Sequence, residues 1–274
     1  MPELPEVETI RQGLVPLLTG RKVLEVTVRE RRLREPIAVR GLSRLCGATV
    51  TGIRRRSKYL LMDTDSGLTL LIHLGMTGQL WVADALRPRR PHEHVVIALD
   101  NLRELRFADA RRFGLLRLLK SDVAHRDPRL KGLGPEPLDE QLTGETLYRT
   151  TRGRKKPVKN FLMDTRAIAG VGNIYACEAL YRSDLNPKRA VGKIGLDGWD
   201  RLLGNLRDVL NQAIHAGGTT LRDFLNAEGG AGYFAVSLRV YDRAGEPCRK
   251  CGASIRRIVQ AGRSTFYCPR CQSR

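Results

Sequence analysis

The sequence predicts an α+β chain with three unlike parts. Short apolar runs rich in β-branched residues recur through the first 120 residues, and amphipathic helical patterns follow after residue 140. Four of the 6 cysteines lie between residues 248 and 271. Because strand-rich and helix-rich stretches are segregated along the chain, we expect an all-β sandwich or barrel, then a helical part, then a small terminal module.

An N-terminal helix is the first predicted element. The chain begins MPELPEVET, and apolar side chains at helical spacing predict a helix over 5–18 that Pro16 should end or kink. Pro5 and either Glu6 or Glu8 are interpreted as helix-start residues, with Glu8 preferred, because proline fixes φ in the first turn and acids favour the helix N-terminus. Neither role explains Pro2. The apolar stripe consists of Val7, Ile10, Leu14 and Leu17.

A series of short β-rich runs separated by turn residues follows the helix. The tripeptides DSG at 65–67 and DNL at 100–102 predict hairpin turns between them. Short strands at this spacing are typical of a sandwich or barrel. The runs span 22–28, 48–53, 59–63, 68–74, 94–99, 102–108 and 114–119.

A helical part begins after residues 127–140, a segment rich in proline, glycine and charge that marks a domain boundary. Helices are predicted over 173–187 and 198–218, the second closed by Gly217 and Gly218. We therefore expect three domains, over 1–131, 132–220 and 221–274.

The terminal module carries two Cys-x2-Cys pairs, CRKC at 248–251 and CPRC at 268–271. This spacing predicts one four-thiolate zinc site, and four protein ligands leave no open position for a substrate, so the zinc is expected to be structural. Disulfides are disfavoured in an intracellular chain. Cys46 and Cys177 are expected to be buried structural thiols. The predicted ligands are Cys248, Cys251, Cys268 and Cys271.

The charge balance points to a polyanionic partner. A net charge of +19 and a pI near 10.3 are typical of nucleic-acid-binding proteins. A ribosomal-type RNA-binding protein remains an alternative, whereas a peripheral membrane protein is disfavoured because the basic residues are spread over the whole chain. Since the sequence lacks a membrane-span pattern and a signal-peptide pattern, we expect a soluble intracellular protein.

Pro2 suggests a covalent mechanism. Removal of Met1 would expose a secondary amine, and an α-amino group titrates near a pKa of about 8, whereas lysine titrates near about 10.4. Such an amine can attack a carbonyl-like carbon, and Glu3 beside it can act as acid or base. Many chains begin with Met-Pro, so this observation alone leaves catalysis a hypothesis.

A set of motifs in order over the full chain gives the sequence a family resemblance. They are MPELPEVET, SKYLL (57–61), HLGMTG (73–78), RRFG (111–114), LGPEPL (133–138), GVGNIYA (170–176), GGTTLRDF (217–224) and the four-cysteine finger. Together they resemble the bacterial formamidopyrimidine-DNA glycosylases, also called 8-oxoguanine DNA glycosylase/AP lyases. The resemblance implies an N-terminal β-sandwich with a flanking helix, a helical helix-two-turn-helix domain and a C-terminal zinc finger, with damaged duplex DNA bound in a cleft between domains.

The implied activity is bifunctional. An N-terminal proline amine excises oxidised purines, 8-oxoguanine and formamidopyrimidines, through a Schiff base, and β,δ-elimination then cleaves the strand. By this resemblance Pro2 is the nucleophile, Glu3 its proton-transfer partner, Glu6 a support of the helix and Lys58 a catalytic lysine. Lys58 can also be read as one more phosphate-binding base after Arg54–Arg56.

The resemblance also implies a set of DNA contacts. Met76, Arg111 and Phe113 match the residues that fill the gap left by the extracted base, although singly they could be core Met, surface Arg and core Phe. His73 and His94 could contact the DNA backbone or be packed strand residues. The DNA-binding residues implied are His94, Arg111, Lys159, Asn173 and Arg263, and the lesion-recognition loop comprises Thr219, Leu221, Arg222, Asp223 and Phe224.

The sequence departs from the family pattern at Ala110, where the family usually has proline, and at 92–94, while Thr77 lies where relatives vary. Two alternatives remain: an endonuclease VIII-like glycosylase for oxidised pyrimidines, and a non-catalytic nucleic-acid-binding zinc-finger protein. For the favoured reading we expect one structural zinc as the cofactor, a monomer bound to double-stranded damaged DNA, no membrane association, and a cytoplasmic, nucleoid-associated location in a bacterium.

Overall fold

The computed structural model describes residues 2–218 and 238–273, which form two compact units. The first holds residues 2–131 and 214–218, and the second holds 132–213 and 238–273. Met1 and the predicted lesion-recognition loop lie outside the described residues. That loop comprises Thr219, Leu221, Arg222, Asp223 and Phe224.

The first unit is a β-sandwich, as predicted. Its two antiparallel sheets have the orders β1-β6-β7-β5 and β2-β3-β4-β8, and one apolar core receives side chains from both sheets and from α1. The elements are α1 (Leu4–Leu18), β1 (Val23–Val28), α2 (Val39–Leu42), β2 (Val50–Arg56), β3 (Tyr59–Thr64), β4 (Leu68–His73), β5 (Gln79–Asp84), β6 (Glu93–Leu99), β7 (Arg103–Ala108), β8 (Leu115–Lys120) and α3 (Pro128–Lys131), with 3₁₀ helices at Ser43–Leu45 and Ser121–Arg126.

Both predicted hairpin turns are confirmed. Residues 65–67 join β3 to β4 and residues 100–102 join β6 to β7, with positive φ at Gly67 (71°) and Leu102 (58°). Strand β5 was not predicted, because a glycine-containing segment precedes it and its apolar residues do not alternate. It is an edge strand, yet both of its faces are covered: Leu80 lies in the core, and the Arg90 guanidinium lies 5.0 Å from the Trp81 ring.

Helix α1 continues past Pro16 to Leu18, so it does not end at this proline. A proline in the last turn removes a single backbone donor. The helix nevertheless closes with a hydrogen bond from the Thr19 N–H to the Val15 carbonyl, and Leu14 and Leu18 are buried in the core on either side of Pro16. Burial of this face therefore outweighs the local preference of proline.

The second unit is helical and ends in a two-stranded hairpin. Its elements are α4 (Gly144–Thr151), α5 (Val158–Leu162), α6 (Asn173–Arg182), a 3₁₀ helix at Val191–Lys193, α7 (Leu196–His215), whose last residues belong to the first unit, β9 (Arg256–Gln260) and β10 (Arg263–Tyr267). Helix α6 is shorter than predicted because Asp184 adopts a positive φ of 53°. Within the described residues, no helix is both long enough and apolar enough to cross a membrane.

Candidate active site and nucleic-acid interface

The N-terminus is fixed by two buried acids. Glu3 is the N-cap of α1 and forms a capping box with Glu6, whose carboxylate accepts a hydrogen bond from the Glu3 N–H at 2.8 Å. Glu3 and Glu6 are 3% and 2% exposed, whereas Pro2 is partly exposed. Pro5 lies in the first turn, as predicted. Pro2 therefore directly precedes the N-cap of a helix whose start is fixed by hydrogen bonds.

Glu6 is the acid in the first turn of α1, so the interpretation of Glu8 as a helix-start residue was wrong. The Glu8 carboxylate accepts from Arg11 at 2.7 Å and from Arg55 in β2 at 2.9 Å, and Arg55 also donates to the Ser57 carbonyl at 3.0 Å. Burial raises the pKa of Glu8, but the hydrogen bonds from both arginines outweigh it and lower the pKa. Glu8 therefore ties α1 to the turn that carries Lys58.

Lys58 occupies the two-residue turn between β2 and β3, where Ser57 has a positive φ of 56°. The lysine is 8% exposed, which is unusual for this residue type. The positive charge of Lys58 also affects His73. Burial is the main cause that lowers the pKa of His73 to about 4, and the charges of Lys58 and Arg34 lower it further. At neutral pH this imidazole is therefore uncharged.

The tautomer of His73 follows from its contacts. Its Nδ1 accepts the Gly75 N–H at 2.9 Å, so in a neutral ring the proton is on Nε2. The ring lies 4.8 Å from the Tyr59 ring and borders a cavity of about 320 Å³ that Arg34, Arg117 and Arg129 also line. A histidine in this state offers an N–H donor to a phosphate oxygen. Glu35 also lines the cavity and is ion-paired with Arg117 and Arg129, so its wall is mixed in charge with an excess of arginine.

The three expected insertion residues come from two loops, the β4–β5 loop (74–78) and the β7–β8 loop (109–114). Met76 is 38% exposed, Phe113 is 43% exposed, and the Arg111 guanidinium lies 4.8 Å from the Phe113 ring. The loops touch: a Cβ on Gly75 would lie 2.4 Å from the Phe113 carbonyl carbon. The readings of Met76 and Phe113 as core residues are wrong.

His94 lies in β6 and is 5% exposed. Its Nε2 is 2.7 Å from the backbone carbonyl of Asp109. Of the two readings of this residue, the contacts favour the packed strand histidine, and a direct DNA contact stays a prediction.

In the second unit, Asn173 and Lys159 converge on the finger hairpin. Asn173, the first residue of α6, donates from Nδ2 to the Ser264 carbonyl at 2.9 Å. The Lys159 ammonium donates to the same carbonyl at 3.1 Å and to the Thr265 hydroxyl at 2.6 Å. Arg263 directly precedes Ser264 and is exposed. Asn173 and Arg263 are therefore brought together at one end of the hairpin.

Lys159 is fully buried, which differs from the expectation of a DNA-contacting lysine. A buried ammonium needs its donors satisfied, and the finger supplies oxygen acceptors at Ser264 and Thr265. Its observed position supports the hairpin that presents Arg263. A direct contact with DNA stays a prediction.

The four finger cysteines form a compact cluster. All four sulfur atoms lie within 4.8 Å of one another, with the pairs Cys248/Cys271 at 3.9 Å and Cys251/Cys268 at 3.5 Å. Tetrahedral Zn–S bonds of about 2.3 Å would place sulfurs roughly 3.8 Å apart, so the cluster fits zinc.

Hydrogen bonds to the Cys248 sulfur favour its thiolate form, which is the form that binds a metal. Burial raises the pKa of its thiol, but donors outweigh burial, beginning with the Tyr181 hydroxyl, and lower the pKa to about 6. The Tyr181 oxygen lies 3.3 Å from the Cys248 sulfur. A thiol of this kind is readily deprotonated, as zinc binding requires.

Three domain families match consecutive parts of the chain. Residues 1–116 match the formamidopyrimidine-DNA glycosylase N-terminal domain, residues 133–225 match the H2TH domain of the same glycosylase, and residues 245–274 match the zinc finger found in FPG and IleRS. The chain belongs to the formamidopyrimidine-DNA glycosylase family. It is a base excision repair glycosylase with one structural zinc, bound by Cys248, Cys251, Cys268 and Cys271.

Relatives of this glycosylase cover its whole length. The formamidopyrimidine-DNA glycosylase of Methylococcus capsulatus is 50% identical over 272 residues, covering 99% of this chain and 100% of the relative. A Lactococcus lactis FPG mutant in complex with Fapy-dG-containing DNA superimposes with a TM-score of 0.92 at 32% identity, and the wild-type FPG with DNA containing an oxidised pyrimidine does so with 0.89 at 32%. Both structures cover 100% of each chain.

Sequence reasoning missed two buried acids of this glycosylase. Asp109 accepts hydrogen bonds from both insertion loops, and Glu178 in α6 accepts the backbone N–H groups of residues 239–241, each at 2.9 Å. A single acid in an apolar helix, as in NIYACEALY, was the available signal for Glu178. Cys177 is buried as expected, but Cys46 is exposed because it ends the 3₁₀ helix Ser43–Leu45 in a turn.

Proposed function

We propose that this glycosylase excises 8-oxoguanine and formamidopyrimidines from duplex DNA with the Pro2 nitrogen as nucleophile, and then cleaves the strand. The observation that carries the proposal is the capping box. Because Glu3 and Glu6 fix the start of α1, an amine freed at Pro2 would directly precede an ordered helix start that carries two buried carboxylates. Pro2 itself is partly exposed.

The excision step replaces one bond with another. The Pro2 nitrogen forms a bond to C1′, and the bond from C1′ to the base breaks with its electrons moving to the base, which takes up a proton. The attacking nitrogen loses its proton, and Glu3 is the acid–base residue placed to relay it. The C1′–O4′ bond then breaks, O4′ is protonated, and an iminium ion joins Pro2 to the opened sugar.

Strand cleavage follows from the iminium ion, which acidifies the C2′ proton. Loss of that proton expels the 3′ phosphate by β-elimination, and a second elimination expels the 5′ phosphate. Water then hydrolyses the iminium and frees Pro2. The proposed role of Lys58 is to supply positive charge beside the departing phosphate, which fits its low exposure and its effect on His73.

The remaining predicted residues bind and shape the DNA. Unstacking a base costs a few kcal/mol, and Met76, Arg111 and Phe113 are proposed to fill the gap, with Arg111 directed to the base opposite. Asn173 and Arg263 are proposed to contact the phosphates that flank the lesion. Base recognition by residues 219–224, the domain limits 1–131, 132–220 and 221–274, a monomeric state and a cytoplasmic, nucleoid-associated location stay predictions.

Competition between duplexes tests the proposed substrate. We expect strand cleavage of an 8-oxoguanine duplex to exceed that of a thymine glycol duplex in single-turnover reactions at equal enzyme. A preference for thymine glycol would favour the pyrimidine-specific alternative, for which the oxidised-pyrimidine complex of the Lactococcus lactis relative is the motive. Binding without cleavage of either duplex by protein that lacks Met1 would favour the non-catalytic alternative.

A further inference from the structure

One buried carboxylate joins the two loops that carry the proposed insertion residues. Asp109 directly follows β7 and has no exposed surface. Its Oδ1 accepts the Thr77 hydroxyl at 2.6 Å, and its Oδ2 accepts the Gly114 N–H at 2.7 Å. The Arg111 N–H points at the same pair, 3.3 Å from Asp109 Oδ1 and 3.2 Å from Thr77 Oγ1.

The backbone of Asp109 is fixed as firmly as its side chain. Its N–H donates to the His92 carbonyl at 3.1 Å, and its own carbonyl accepts the Arg112 N–H at 3.2 Å. The same carbonyl lies 2.7 Å from His94 Nε2. The carboxylate is thus anchored on β6 and has little freedom to follow a loop that moves.

We propose that Asp109, with Thr77 as its partner on the other loop, is the positioning residue that holds Met76, Arg111 and Phe113 in place before DNA binds. This inference rests on the proposed insertion role of those three residues. Groups already in place fill the gap without a further ordering cost, whereas a loose loop must be ordered while the base unstacks. Asp109 acts through the two loops and touches no reacting atom.

The chemistry of the cluster explains why a carboxylate is required. An ionised carboxylate only accepts hydrogen bonds, and here the Thr77 hydroxyl and the N–H groups of Gly114 and Arg111 all point towards it. An amide in its place would turn an NH2 group towards at least one of these donors. Asp109→Asn is therefore disruptive despite its equal size, whereas Thr77→Val removes one hydroxyl at a partly exposed position.

The test uses Thr77→Val as the main variant and Thr77→Ser as its matched control, with full-length protein lacking Met1. On a duplex with 8-oxoguanine opposite cytosine, we expect the single-turnover excision rate of Thr77→Val to fall about 10-fold, the effect of losing one hydrogen bond to a charged group. Thr77→Ser retains the hydroxyl and should stay within about twofold of wild type.

A second substrate distinguishes a positioning role from an overall loss of activity in the variant protein. On a single-stranded abasic oligonucleotide no stacked base has to be replaced, so the borohydride-trapped yield of Thr77→Val should equal that of wild type. Asp109→Asn should show the same split with a larger loss on the duplex, and thermal unfolding reports whether this variant is folded.

The outcomes are distinct. Equal excision by Thr77→Val and wild type on the duplex, or an equal loss on both substrates, would overturn the positioning role. Failure of the proposed function looks different, because wild-type protein lacking Met1 would then give no trapped adduct on either substrate.

Discussion

The two regions proposed to contact DNA are held together in different ways. In the first unit, Met76, Arg111 and Phe113 stand on loops whose geometry depends on hydrogen bonds to one carboxylate, above a large sandwich core. In the second unit, Arg263 lies on the β9–β10 hairpin, next to the four-cysteine metal site, and the apolar core around that site is small. The side chains proposed to contact DNA therefore depend on local hydrogen bonds in one region and on a metal site in the other.

The small core explains the need for metal. The apolar cluster of the finger includes the ligands themselves, so without zinc little remains to hold the hairpin. Its buried members are Cys177, Tyr181, Val240, Cys248, Ile255, Phe266 and Cys268.

Helix α6 contacts both the finger and the segment 239–241 that leads into it. Asn173 donates to the Ser264 carbonyl at its start, Glu178 receives the N–H groups of 239–241 in its middle, and Tyr181 meets Cys248 near its end. The position of Asn173 beside Arg263 therefore depends on the finger being folded.

Loss of zinc should have the largest effect. Structural zinc sites contribute on the order of 10 kcal/mol or more of folding free energy, so Cys248→Ser should lose zinc and reduce affinity for an abasic-site duplex by at least about 100-fold. The sandwich should keep its strand signal in circular dichroism, since its core is separate. Metal analysis and fluorescence anisotropy measure the two effects. Unchanged affinity for the duplex in zinc-free protein would show that the finger does not contribute to DNA binding.

Glu178→Gln should have the next largest effect. The carboxylate is 1% exposed and accepts three backbone N–H groups, one of which an amide NH2 would oppose. We expect a loss of roughly 2–3 kcal/mol in the free energy of unfolding of the second unit. Urea unfolding measures it, with exposed Glu145→Gln as the control. If both variants have the same free energy of unfolding, Glu178 does not stabilise the contact between α6 and residues 239–241.

Tyr181→Phe should have a smaller and more selective effect. It removes the hydroxyl that lies 3.3 Å from the Cys248 sulfur and keeps the ring in the finger core. Losing one hydrogen bond of about 1 kcal/mol should speed zinc release to a chelator about fivefold. Tyr148→Phe, in α4, is the matched control. Equal release rates would show that the metal site does not depend on this helix.

The last expected effect is on the pH dependence of stability and concerns His73, whose Nδ1 accepts the Gly75 N–H in the β4–β5 loop. Its pKa is lowered from 6.5 to about 4 in the folded protein, so between these values the unfolded chain binds a proton that the folded chain does not. The free energy of unfolding should therefore fall as the pH drops from 6.5 towards 4, and level off below.

The His73→Gln variant should show a shallower fall in stability over this pH range, while exposed His125→Gln should follow wild type. Denaturant unfolding at several pH values measures the slope. An NMR titration of His73 that gives an ordinary histidine pKa would contradict the electrostatic account of the site around Lys58.

Local patterns in the sequence were sufficient for much of the fold. The cysteine spacing predicted the four-cysteine metal site. Apolar runs predicted most strands and the helices α6 and α7, because these features depend on residues that are close together in the chain. The contacts that hold the candidate site could not be predicted in this way. Glu8 meets Arg55 and Lys159 meets Thr265, pairs separated by 47 and 106 positions, and no local pattern encodes such a pairing.

The resemblance supplied the expected roles but not the environments. It placed His94 and Lys159 at DNA, whereas both are buried in contacts within the protein. Asp109 carries no signal in ADARRFG beyond being an acid among arginines, and its importance is visible once both loops are placed.

Borohydride trapping followed by peptide mass mapping tests whether the Pro2 nitrogen forms the covalent bond to DNA. Wild-type protein lacking Met1, mixed with an 8-oxoguanine duplex and borohydride, should give an adduct that maps to the N-terminal peptide at Pro2. Protein that retains Met1 should give none, because its Pro2 nitrogen is an amide. An adduct that maps to Lys58 or another lysine, or an equal yield with Met1 retained, would contradict the assignment of Pro2 as the nucleophile.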